Sequence, residues 1–149
     1  MDYDFTKPGT YPRSGRERLG GVVFLARTID KMRAHLAGTA GEYNAQRGIS
    51  TRVFDLFGVT AEQFAEAVRQ NPTDEGVLAW LRAHGTKQPT PAEIERHNET
   101  VLNLGPQNEE GLARFRANLE TLGFGDRTDV RTNVDAEDLE EGREVPRRA

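Results

Sequence analysis

From Val22 to Leu36 the apolar residues Val22, Leu25, Ile29, Met32 and Leu36 recur at three- and four-residue steps, the spacing that lines one face of a helix. Val23 and Phe24 fall outside that stripe, so the first turn is apolar all round, as in helices covered on most sides. The pattern predicts a central helix. Upstream, Ser14 and Glu17 stand three apart, the spacing of a capping box, and predict a helix start at Ser14. Gly20 and Gly21 then interrupt it, because each glycine in a helix interior costs roughly 1 kcal/mol relative to alanine.

The same reading continues down the chain. Gly38 and Gly41 open a loop reaching Ser50, and a short helix from Ser50 to Gly58 follows, with Val53, Leu56 and Phe57 on its apolar side. Thr60 and Gln63 form a second capping box ahead of Phe64, Ala67 and Val68, and Asn71-Pro72 closes that helix. Thr73 caps the next, which carries Val77, Leu78, Trp80 and Leu81 and ends at Gly85. Thr90, Pro91 and Glu93 combine an N-cap, a proline at the first helical position and a capping acid. That helix carries Ile94, His97, Val101 and Leu102. A last one, roughly Asn108 to Leu122, aligns Leu112, Phe115, Leu119 and Leu122 before Gly123.

The expected architecture is therefore all-α, a compact single-domain helical bundle of about five to six helices with short connections. Residues 1–12 read as an irregular arm pinned by Tyr3, Phe5 and Tyr11, residues 13–123 as the helical core, and residues 124–149 as an irregular acidic tail.

Composition narrows the class. The 149 residues suit one domain, and 30% charged residues of mixed sign with net charge −4 fit a soluble globular chain. Cysteine is absent, which removes disulfides and thiolate metal sites together. No apolar run approaches the ~20 residues that span a bilayer. The start MDYDFTKPGTYP lacks the basic and apolar regions of a signal peptide, so the cytoplasm is the expected compartment. Residues 1–40 hold seven Lys/Arg against four Asp/Glu, while residues 109–149 hold seven against eleven, so the two ends could attract each other. A chain of pI about 5.5 without repeated aromatic platforms argues against nucleic acid.

Candidate chemistry concentrates on the central helix. Asp30 lies three residues from both Arg27 and Arg33, so one carboxylate can serve two guanidinium groups, and Lys31 adds like charge one turn from Arg27. Ion pairs on a solvated helix face are the plain account. The sharper one is an anion-binding cluster of Arg16, Arg27, Asp30 and Lys31, with Asp30 as the candidate catalytic base and Glu42 and Tyr43 lining a cleft from the following loop. The histidines His35, His84 and His97 fall on separate predicted helices. Glu93 and His97 share a face but find no third ligand, so no metal and no cofactor is expected.

The segments SGRERLGG from Ser14 to Gly21, LARTIDK from Leu25 to Lys31 and LAGTAGEY from Leu36 to Tyr43 resemble a small bacterial family catalogued as domain-of-unknown-function family 5069. NLGP at Asn103–Pro106 and DRTDV at Asp126–Val130 extend the likeness over most of the chain. Members commonly carry proline after the capping serine, where this chain has Gly15. The resemblance implies a predominantly helical single domain and carries no activity, substrate or catalytic residue. Two functions remain open: binding of a small anionic metabolite at the central-helix cluster, by a binder or an enzyme, and a protein-interaction or assembly module using helical faces and the acidic tail.

Overall fold

The computed structural model describes residues 2–148, and among them are seven helices and one two-stranded hairpin. The chain divides after Val101 into two compact units.

The first unit departs from expectation at Ser14. No helix starts there; the Arg16 amide donates to Ser14 Oγ (3.2 Å) and the Glu17 amide to the Ser14 carbonyl (3.1 Å), making a turn. Strand β1 (Arg18–Leu19) then pairs antiparallel with β2 (Val22–Val23), Arg18 opposite Val23 and Leu19 opposite Val22. Gly20 (φ 57°) and Gly21 (φ 81°) make the connection. A two-residue hairpin turn of matching twist needs positive φ at both positions, which explains the double glycine better than a kinked helix does. Strands of two residues leave no periodicity to read. At Gly20 a Cβ would also lie 2.5 Å from Leu78 Cδ2, so the residue serves a close approach as well as a turn.

Helix α1 (Leu25–Leu36) begins only after the hairpin. Phe24 precedes it with φ 68°, a conformation that strains an L side chain by ~1–2 kcal/mol. It is held by its amide donating to the Gly15 carbonyl (2.9 Å) and by its own carbonyl accepting from Thr28 N (3.0 Å) and Thr28 Oγ1 (2.7 Å). Leu25, Ile29 and Met32 are fully buried, as the stripe predicts, and only Leu36 at the far end is exposed.

Helices α2 (Ser50–Phe57), α3 (Ala61–Gln70) and α4 (Asp74–His84) complete the bundle, with α1 against α2 and α3, and α3 against α4. Phe54, Phe57, Phe64, Val77 and Leu81 fill the space between them. The start signals hold. Thr60 and Gln63 exchange both bonds of a capping box, Thr73 Oγ1 accepts from Gly76 N, and Thr90 and Glu93 repeat the box at the start of α5 (Pro91–Asn103). Helix α5 grips the hairpin: Asn98 Oδ1 accepts from Val23 N (3.0 Å), Asn98 Nδ2 donates to the Gly21 carbonyl (2.8 Å), and His97 Nε2 donates to the Val23 carbonyl (3.1 Å). Of the aromatics in residues 1–12, Phe5 makes the buried contact. Phe5 is buried, its amide donates to the Thr39 carbonyl, and its ring meets Tyr43 edge-on at 5.5 Å.

The second unit contains α6 (Glu109–Thr121) and α7 (Asn133–Glu140). Helix α7 lies inside the stretch expected to be an irregular acidic tail. Thr132 caps it, and Val130, Leu139 and Val145 join Leu119 of α6 in a small core with Phe115 and Phe124 packed against it. An eight-residue helix in which four residues are acids offers too few apolar positions for a period to emerge. Buried Arg127 ties the end of the chain down by bonding to Asp129 and to the Val145 carbonyl (2.9 Å), and its guanidinium holds the Asp129 carboxyl well below the usual carboxylate range.

Candidate functional site

Burial distinguishes the α1 charges from an ordinary solvated face. Arg27 is 1% exposed, Asp30 0% and Lys31 7%. Charges so enclosed must be matched by nearby polar groups, since an isolated buried ion is prohibitively unfavourable.

Asp30 does not find its match along its own helix. Arg13, seventeen residues upstream, donates to it three times: the amide to Oδ2 at 2.8 Å, Nε to Oδ2 at 3.0 Å and Nη2 to Oδ1 at 3.0 Å. The same guanidinium reaches Asp74 in the first turn of α4, with Nη1 to Oδ2 at 2.7 Å and Nη2 to Oδ1 at 3.0 Å. One planar fork thus binds two carboxylates bidentately, which a lysine in its place could not do. Hydrogen bonding to Asp74 first, and to Asp30 second, raises the Arg13 guanidinium above its ordinary value, and Arg13 in turn holds the Asp74 carboxyl low.

The expected pairing of Asp30 with Arg27 and Arg33 is therefore replaced. Arg27 Nη1 donates to the Arg13 carbonyl (3.1 Å), and its guanidinium carbon lies 5.8 Å from the Phe24 ring centre and 5.5 Å from that of Tyr43. Lys31 Nζ stands 5.3 Å from the Phe24 ring centre. The strained Phe24 ring thus serves both cations, as the negative face of an aromatic ring can. Arg33 turns elsewhere, donating to the Asn71 carbonyl (3.0 Å) and lying over Tyr3.

Of the residues proposed from sequence, Arg27 meets Tyr43, Arg27 and Lys31 share the Phe24 ring, and Asp30 connects to Arg27 through Arg13, whereas Arg16 and Glu42 are solvent-exposed. Arg13 and Asp74 were missed. Arg13 precedes any regular element, so no helical offset connects it to Asp30, and Asp74 reads as an ordinary first-turn acid. Glu93 and His97 do not converge as metal ligands: Glu93 closes the α5 capping box and His97 bonds the hairpin. Among the described residues no group of three or more His, Cys, Asp or Glu could hold a metal ion. The Trp80 and His84 rings stack at 4.2 Å, with His84 Nδ1 3.0 Å from the Trp80 carbonyl, a local contact within α4.

These features define a mostly helical protein with a charged centre built on one enclosed helix, and no described helix is long and apolar enough to cross a membrane. The chain belongs to the family described as domain of unknown function DUF5069, whose sequence profile matches residues 9–143. The match takes in the Arg13 fork, α1 and the Tyr43 loop together. No curated protein matches the chain.

Proposed function

We propose a cytoplasmic protein that binds a small anionic metabolite against α1, with Arg27 and Lys31 as the cationic contacts and Tyr43 covering them. One observation carries this reading. Arg27 and Lys31, one turn apart on α1, gather at the Phe24 ring, with Tyr43 also beside Arg27, while Asp30 between them in sequence accepts three hydrogen bonds from Arg13. In this reading Asp30 positions Arg13 and the start of α1 rather than moving a proton, and Arg16 and Glu42 contribute at the rim.

The acidic C-terminal stretch gives the interaction-module reading less support. Three of its acids lie beside arginines of the same unit: Asp138 is 3.7 Å from Arg143, Asp135 3.0 Å from Arg148 and Asp126 2.7 Å from Arg147.

Thermal shift in the presence of citrate and of small phosphate esters tests the proposal. Ligand at a hundredfold excess over its dissociation constant adds about 2.7 kcal/mol of stability. Lys31→Met, which keeps the aliphatic stem, is expected to fold and to lose that shift. An unchanged shift in Lys31→Met and Arg27→Gln, or none in the unsubstituted protein, would overturn it.

A further inference from the structure

A second cationic site lies on the other side of the sequence pattern, in an open cleft of about 280 Å³ between α2 and α5. Arg52 comes from α2, Lys87 from the loop after α4, and Arg96 from α5, so three separate segments bring positive charge to one concavity. None of the three lies within ion-pair distance of a carboxylate among the described residues. Two acids also line the cleft. Glu93 closes the N-terminus of α5, where its Oε1 accepts from Thr90 N at 3.0 Å, and its carboxylate also feels the charges of Arg96 and Lys87; with Asp55 it leaves the cleft lining one positive charge in excess.

The floor includes His97. Its Nε2 lies 3.1 Å from the Val23 carbonyl, and a carbonyl only accepts, so Nε2 carries the proton and Nδ1 holds the lone pair in the neutral ring. Burial, and then the Arg52 charge, push this imidazole below its ordinary value, while the Val23 bond works against them. An oxyanion entering the cleft would reverse part of that balance by favouring the imidazolium.

We propose that this cleft binds a phosphoryl oxyanion, held by Arg52, Lys87 and Arg96 with the Thr100 hydroxyl at its edge. The volume suits a phosphate or the phosphate end of a small ester, being below the ~300 Å³ at which pockets for drug-sized ligands begin. Guanidinium groups match the paired oxygens of a phosphate, and three cations from separate segments, none within ion-pair distance of a carboxylate among the described residues, outnumber the two acids of the cleft. The site is independent of α1 and stands whether or not that face binds anything.

Titration of the full chain with inorganic phosphate and with glycerol phosphate, followed by NMR of the His97 ring, tests it. Saturable binding is expected, with the His97 titration midpoint moving upward and Arg52→Gln and Arg96→Gln each weakening affinity by about tenfold. Both positions are exposed, so these variants are expected to fold. Lys31→Met should leave this binding intact, which separates the cleft from the α1 face. A His97 midpoint that does not move, or affinity unchanged in the Arg52→Gln, Arg96→Gln double variant, would overturn the proposal.

Discussion

Arg27, Asp30 and Lys31 lie on a helix enclosed on most sides, whereas Arg52, Lys87 and Arg96 reach an open cleft from three segments. The two groups are similar in charge and opposite in setting. Around α1, enclosure has drawn in partners from far along the chain: one arginine outside any regular element bridges two acids, and an aromatic ring is held in a strained backbone conformation beside two cations. At the cleft, solvent screens the like charges and no such partners are needed. Burial therefore ties the first group to distant partners, while the second stands in solvent with its charges screened.

The largest expected difference between the two settings is in stability. Asp30→Ala removes the acid from a pair that stays partly enclosed, and a loss of about 3–5 kcal/mol is expected. Arg96→Gln at the cleft should stay within ~0.5 kcal/mol. Denaturant unfolding of both variants makes the measurement, and equal losses would erase the distinction drawn here. A smaller effect is expected where α5 meets the hairpin. Asn98→Ala leaves the buried Val23 amide and the Gly21 carbonyl without their side-chain partner, which should remove roughly 2–4 kcal/mol, read from the same denaturant midpoints.

The smallest expected effect is a dependence on pH. The His97 pKa is lowered on folding, so the unfolded chain takes up a proton at this position more readily than the folded one. The stability carried by the neutral ring is complete above its ordinary value of 6.5 and declines as pH falls below it toward the folded value. Unfolding midpoints at pH 7.5 and 5.5 should show this decline, and His97→Gln should flatten it. A carboxylate origin would instead appear at lower pH, where Asp74, held low by Arg13, begins to protonate.

Much of the helical framework can be read from short-range pattern because capping is local chemistry. Thr60 with Gln63, Thr73, Thr90 with Glu93, and Asn108 each announce a helix that forms within a residue or two of the expected start. The exceptions have physical causes. Ser14 and Glu17 carry capping-box spacing, yet the double glycine favours a hairpin turn, and Asn98 and His97, more than seventy residues away, complete the hydrogen bonding of Val23. Helix α7 is hidden by its short length and its acids. Of the candidate site, Arg27, Asp30, Lys31 and Tyr43 are legible, but the partner of Asp30 is not.

The sequence by itself determined the helical class, most helix boundaries, the central place of α1 and the charges it carries, because these follow from apolar period and capping within a few residues. Tertiary structure alone decided that Arg13 joins Asp30 to Asp74, and that Arg52, Lys87 and Arg96 share one cleft. Pairings of that kind depend on which segments are brought together in space, and neither residue type nor local spacing encodes the meeting of side chains separated by tens of residues.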